Sequence, residues 1–387
     1  MQLAIYAHPF DLDALAQHGG LTRLADLGFC EIALATSYHD GRWLMPWHPQ
    51  GGVRFLEDGT VHFRPQAAYG ALQPLPSSHV PASGPSPLEA LCAAAPAAGL
   101  AVRAWTVFGH NSRLGAQHLQ CCVQNALGDR YPYSLCPAWP AVRDHHVALA
   151  QDLGRHQGLG AIEFEAFGWL GHKHSSHHDK ASFAPKGALD AALSLCVCDA
   201  CGAWIARHGG DVEAVRAWGQ RVFAELVQQG DALAPDLRAL RADEVALLEP
   251  VWAARAALVA ERFAAASARL PAGLRRAVQV HPDPRFTGSQ CAGPQAAACA
   301  PDEVVVTAYG EGPDAIDKLL QHPGMAAFAN PQKRLSVWPK APQFSSDEDL
   351  VKLAGLAERH GIDTLAVYHL GLLPWRTLER VARLWSR

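Results

Sequence analysis

The segment Gly160 to Trp169, GAIEFEAFGW, sets Glu163 and Glu165 two residues apart in what reads as a buried strand. Side chains at i and i+2 of a strand share a face, so both carboxylates point one way while Ile162 and Phe164 point the other. An inward carboxylate must be neutralised, paired or bound to a metal, which makes the pair a candidate acid/base site. A salt-bridged pair at a strand end is the plainer alternative. Glu165, nearest the strand's C-terminal end, is the expected principal catalytic carboxylate, with Glu163 orienting it or holding a proton. Glu311, in AYGEGPD, is the best carboxylate opposite them, although an acid ahead of Pro313 also suits a helix N-terminus.

A second chemical signal is Cys196-Val-Cys198-Asp-Ala-Cys201. Three thiolates at this spacing can wrap one tetrahedral ion, and sulfur-rich ligation points to a structural zinc rather than an open catalytic one. The fourth ligand must come from elsewhere. Cys136 is the expected one, with Cys121, His172, His174, His177 and His178 as alternatives; three buried cysteines near a helix start is the bland reading. The histidines belong to the run Gly171-His-Lys-His-Ser-Ser-His-His-Asp-Lys180, which follows the Glu-x-Glu strand and can bind metal, contact substrate or simply be a solvated loop.

The elements that must position these groups alternate. Apolar β-rich runs at Leu3 to Ala7, Glu31 to Thr36, Val102 to Phe108, Ala161 to Glu165, Ala277 to His281, Val304 to Ala308, Leu335 to Trp338 and Thr364 to Tyr368 are separated by helical patterns, among them Leu12 to Leu27, Pro140 to His156 and Trp375 to Trp385. Eight strands with intervening helices predict a single (β/α)8 TIM barrel over 1–387. A doubly wound sheet is the runner-up, but no G-x-G-x-x-G follows the first strand, so no organic cofactor is expected. Two stretches interrupt the rhythm. Residues 39–100 form a Pro/Gly-rich excursion with a return helix, its VRFLEDGTVHFR core predicting a hairpin closed by Asp58-Gly59. Residues 186–270 form a helical insertion carrying the cysteines. Both follow strand C-terminal ends, the active face of a barrel.

Those strand ends also carry His8, Tyr38, His39, His110, Asn111, Arg113, His281, Trp338 and Tyr368. Any one of them is readily a hydrogen-bonded structural residue; together they suit a polyol, aromatics stacking on a sugar face and polar groups gripping hydroxyls. The chain has 387 residues, 49% of them hydrophobic, and a net charge of −4. That supports a sizeable core and offers no basic field for nucleic acid. The N-terminus lacks an export signal and no segment has membrane-span length, so a cytoplasmic protein is expected, with a small carbohydrate-like substrate, no membrane partner and a possible homo-oligomer.

SYHDGRWLMPWHP, HNSRLG, NALGDRYPYSLCPAWPAVRDHHVALAQDL, the Glu-x-Glu strand with its histidine-rich loop, SLCVCDAC and YHLGLLP together resemble a group of bacterial barrel proteins described as hypothetical or glycoside-hydrolase-like. The resemblance spans most of the chain and implies the barrel and the cysteine site. One departure stands out: retaining glycosidases that use the fourth and seventh strands need a carboxylate on the seventh, where this chain has SVWPKAP. Glycosidases that pair the fourth strand with the sixth would map onto Glu163 or Glu165 with Glu311, and chitinase-like barrels use alternating acids on the fourth strand with the substrate's own amide. Carboxyl separations of about 5 to 5.5 Å would mean retention and about 6.5 to 9.5 Å inversion. The expected function is therefore a glycoside-hydrolase-like enzyme acting on a small glycoside or oligosaccharide. The alternatives are a metal-dependent sugar isomerase or hydrolase, with an ion held by His8, His110, His281 and the glutamates, and a carbohydrate-binding barrel without turnover.

Overall fold

Successive residues along the strands face opposite sides of the sheet, and that alternation separates the barrel's two surfaces. The computed structural model describes residues 1–49, 51–174 and 180–385; His177 and His178 lie outside them. The barrel strands are β1 Gln2–Ala7, β2 Phe29–Tyr38, β3 Ala101–Val107, β4 Leu159–Glu165, β5 Arg275–His281, β6 Glu303–Ala308, β7 Gln332–Val337 and β8 Thr364–Val367. Each pairs in parallel with the next, and β8 pairs with β1 in the register Gln2 to Thr364 through Ile5 to Val367, which closes the ring. Helices lie between the strands, as a (β/α)8 TIM barrel requires.

Outward residues such as Ile5, Ile32, Leu34, Phe164, Val278, Val304 and Leu365 form one apolar layer with the helices. Inward positions hold small Ala4, Ala33, Ala35 and Ala366 beside bulky Tyr6 and Trp105. Below them the interior is ionic. Arg103 on β3 bonds Glu31 at 2.8 Å and Glu303 at 2.8 Å, and Arg334 on β7 bonds the same two carboxylates at 2.5 and 2.7 Å. All four are buried, so each charge depends on the others for its solvation.

Local structure departs from expectation in three places. The Leu12 to Leu27 pattern is two helices, Pro9–Ala16 and Gly20–Asp26, because Gly19 and Gly20 adopt positive φ and break the run. The hairpin pairs Gly41–Leu44 with Val53–Leu56, while Thr60–Val61 adds to the edge of β2. Asp58-Gly59 therefore turns the chain between two sheets instead of closing a hairpin. Within 186–270, the helix Ala242–Ser267 packs against Pro140–Leu153 as part of the barrel's helical ring, leaving Gly187–Ser194, Asp199–Arg207 and Val212–Phe223 as the added layer with its own apolar core. Trp375–Trp385 is helical as expected. Among the described residues no single helix is long and apolar enough to cross a membrane.

Candidate active site and cysteine centre

The two glutamates of β4 face inward and meet different surroundings. Glu163, 0% exposed, accepts hydrogen bonds from Tyr6 Oη at 2.8 Å and Gln279 Nε2 at 3.0 Å, and its other oxygen lies 3.5 Å from Arg103. Burial raises its pKa, opposed by Arg103 and Arg334. One level up, Glu165 accepts from Trp105 Nε1 and, at 3.0 Å, from the same Gln279 amide. It keeps partial exposure, yet burial pushes its pKa up to about 7 against those two hydrogen bonds, with the Glu163 charge adding to the rise.

Above Trp105 the C-terminal mouth of the barrel opens into a cavity of about 740 Å³, within the range of small-molecule sites. Tyr38, His39, His110, Trp338 and Tyr368, five of the nine strand-end candidates, line it. Tyr38 and Tyr368 join hydroxyls at 3.0 Å, and both pack edge-on against Trp105 with ring centroids 4.9 and 5.8 Å away. Glu165 is not itself among the lining side chains; it reaches the lining through Trp105. His39 stacks on Tyr38 at 4.3 Å and on His110 at 4.0 Å, and His174 meets His110 edge-on at 4.2 Å. Burial lowers the pKa of His39 to about 4 and that of His110 well below the usual imidazole range, so both are neutral at pH 7. His39 donates its Nδ1–H to Asp40 O at 2.6 Å, which leaves Nε2 as an acceptor, while neutral His110 has one donor and one acceptor nitrogen, a set that can meet hydroxyls.

The remaining candidates lie elsewhere. Asn111 caps the helix Ser112–Gln117 by accepting from Leu114 N at 2.8 Å and donates to Gly59 O at 3.3 Å. Arg113 donates to Gly59 O and Gln73 O, both at 3.2 Å. These two side chains hold the 39–100 excursion onto the barrel, so their hydrogen bonds are committed to the fold. His8 is enclosed by Phe10, Tyr38, Trp43 and His62. His281 stacks on Phe286 at 3.8 Å and accepts from Asp283 N at 3.1 Å. Glu311 is exposed and does not line the cavity. His8, His110, His281 and the glutamates do not converge: among the described residues the cysteines alone bring three or more metal-ligating atoms within 4.8 Å of one another.

Sequence reasoning passed over several lining residues. Among the described residues Asp40 is the single acid of the lining, and Arg42, Trp43, Ser112, Tyr133 and Leu372 complete much of the wall. Asp40 was legible as the neighbour of Tyr38 and His39 at the end of β2. Tyr133 was not, since it comes from the strand Arg130–Leu135 that precedes the helix Pro140–Leu153. The first residues of the histidine-rich run are pinned by Tyr133 Oη to Gly171 O at 3.1 Å and His172 N to Ser194 Oγ at 3.0 Å, which ties the cavity rim to the added helices.

The cysteine centre is built from two distant segments. Cys136 Sγ lies 3.4 Å from Cys201, 3.7 Å from Cys198 and 3.8 Å from Cys196. A disulfide would require about 2.05 Å, whereas sulfurs at the corners of a tetrahedron around zinc, at about 2.3 Å from the ion, stand about 3.8 Å apart. All four are buried, and the ten cysteines are all free thiols. Gln124 N donates to Cys196 Sγ at 3.3 Å, and Arg255, over the Trp169 indole at 4.3 Å, places a buried guanidinium beside the thiols. The donor set fits a metal ion, with Cys136 as fourth member; Cys121, His172 and His174 stand outside the cluster.

No family model matches the chain, and no curated protein matches it. Among solved structures it is similar to a β-galactosidase from Marinomonas ef1 (TM-score 0.57, 10% identity), covering all of this chain and 59% of that one. It spans 94% of the β-amylase catalytic domain from Paenibacillus polymyxa (TM-score 0.55, 10% identity, 98% of this chain). It spans 99% of the PgaB glycoside hydrolase domain from Bordetella bronchiseptica (TM-score 0.56, 14% identity, all of this chain). At these identities the likeness is one of fold alone, the (β/α)8 TIM barrel.

Proposed function

We propose that this chain is a glycoside-hydrolase-like enzyme acting on a small glycoside or oligosaccharide held in the cavity at the C-terminal end of the barrel. The observation that carries the reading is the Glu165 carboxyl, whose raised pKa of about 7 lets it hold a proton at neutral pH beneath an aromatic, hydroxyl-matching pocket. Such a group can protonate a leaving glycosidic oxygen. Glu163 is sealed below and acts by positioning Glu165 through their shared Gln279 amide. Asp40, the acid in the lining, is the group placed to activate water. Trp338 and Tyr368 supply stacking faces, and His39 and His110 the hydroxyl partners. In the cysteine centre a structural zinc on Cys136, Cys196, Cys198 and Cys201 would fasten the added helices to the barrel and take no part in the reaction.

Turnover of a panel of aryl glycosides by wild type, Glu165→Gln and Asp40→Asn tests the assignment. Loss of activity in both variants with unchanged folding is the expected result; undiminished turnover by Glu165→Gln removes it from the chemistry. A second reading, a carbohydrate-binding barrel without turnover, is favoured by one observation: Tyr38 and Tyr368, rather than Glu165, meet the cavity. It predicts sugars that raise the melting temperature and are recovered intact.

A further inference from the structure

The hairpin of Gly41–Leu44 and Val53–Leu56 has two unlike faces. Trp43 points inward and is buried against His8, Phe10 and Tyr38. The opposite face is set by the register, in which Arg42 pairs with Phe55 and Leu44 with Val53, so these four side chains project together. Three of them are apolar and far out of the core: Leu44 is 70% exposed, Val53 57% and Phe55 75%. A two-stranded ribbon displaying its apolar side to water is costly and calls for an occupant.

The position of this face identifies the occupant. Arg42 and Leu44 also line the cavity, so the apolar strip begins at the cavity rim and runs outward to Val53 and Phe55. Its area is on the order of 300 Å², short of the ~800 Å² per partner of a stable protein interface, but adequate for one alkyl or aryl group. We infer that this face is an aglycone subsite, binding the apolar portion of an amphiphilic glycoside whose sugar sits among Trp338, Tyr368, His39 and His110. The inference rests on the sugar-binding reading of the cavity and adds to it the class of substrate: a sugar joined to a hydrophobic group rather than a free oligosaccharide.

The test is titration calorimetry of the full chain with methyl and octyl β-glucosides and β-galactosides, below micelle-forming concentrations, with 1-octanol as the sugarless probe. An octyl glycoside should bind at least about tenfold more tightly than its methyl counterpart, given the apolar area covered. Val53→Ser and Phe55→Ser, each at an exposed position off the cavity lining, should bring that ratio close to one and leave methyl glycoside binding unaltered. Methyl glycosides that bind with no octyl advantage, or an advantage that survives both substitutions, overturn the subsite alone. Octanol binding as tightly as the octyl glycosides overturns the sugar reading and the subsite with it. A dimer in light scattering that dissociates on Phe55→Ser assigns the face to a second copy of the chain and likewise overturns the subsite.

Discussion

Replacing Glu165 by glutamine removes a titration while keeping a side chain of the same shape. The folded carboxyl titrates at about 7, against a usual 4.5, chiefly because burial disfavours the anion. A group whose pKa is raised by folding stabilises fully below its unfolded pKa, and that contribution is lost as pH rises through the folded pKa. The window is therefore about pH 4.5 to 7. A displacement of about 2.5 units corresponds to roughly 3 kcal/mol of stability that wild type loses across that window. Glu165→Gln has no proton to lose, and its amide oxygen can still accept from Trp105 and Gln279. The difference in unfolding free energy, wild type minus variant, should fall by roughly 3 kcal/mol between pH 4.5 and 7.5 and be flat above about 8.5. Urea denaturation at half-unit pH steps measures it, and subtracting the two proteins cancels the titrating groups that do not interact with Glu165. A difference that does not change with pH, or that grows in favour of wild type as pH rises, would refute the argument that burial holds this carboxyl protonated.

Four further outcomes follow from the same geometry. Cys198→Ser should reduce bound zinc, read by elemental analysis, from one per chain toward zero and lower the melting temperature; an unchanged metal content refutes the tetrathiolate site. Arg103→Met leaves Glu31 and Glu303 with one fewer buried cation and should cost about 3 to 5 kcal/mol in urea denaturation, and a neutral result would mean that the ionic layer is not interdependent. Asn111→Ala should cost about 1 kcal/mol through the lost helix cap and leave the affinity for methyl glycosides unchanged, since the side chain faces Gly59 rather than the cavity. Trp338→Ala, by contrast, should weaken that affinity, measured calorimetrically, by at least about fivefold.

The barrel was legible because its outward strand residues are apolar without exception across Ile5, Ile32, Phe164, Val278, Val304 and Leu365, so even strands with polar inner faces kept a readable core side. The inner faces were harder. Arg103 and Glu303 stand 200 positions apart and meet at 2.8 Å only because the ring closes. Asn111 and Arg113 looked like ligand-binding groups because they follow β3, but strand ends are also where excursions must be anchored. Gly59 shows how close that anchoring is: its φ is positive, and an added Cβ would sit 2.1 Å from Asn111 Oδ1. Asp58-Gly59 carried a true turn signal and the wrong partner, since Gly41–Leu44 competes for the first half of the segment and the open edge of β2 takes the second. Cys136 could be named as a fourth ligand but not chosen from spacing, because it lies 60 residues from Cys196.

Two glutamates on one strand face suggest a symmetrical pair of catalytic acids, and the ionic layer beneath them argues otherwise. Arg103 and Arg334 already serve Glu31 and Glu303, so Glu163 receives only the outer guanidinium nitrogen of Arg103 at 3.5 Å, with Tyr6 and Gln279 completing its shell. Its pKa is raised despite two nearby cations because burial outweighs them. A carboxyl so enclosed can neither approach an anomeric carbon nor exchange protons with a bound sugar. It can fix Gln279, which donates to both acids, and so hold Glu165 against Trp105. The proposed acid is therefore the upper glutamate, which stands behind Trp105 rather than in the cavity lining, and the proposed base comes from another strand. With Trp338 instead of a carboxylate after β7 and Glu311 outside the cavity lining, the proposal gives that role to Asp40, an exposed acid of the lining just after β2. On that proposal the acid comes from strand 4 and the base from the end of strand 2, because the ionic layer leaves no second interior acid facing the cavity among the described residues.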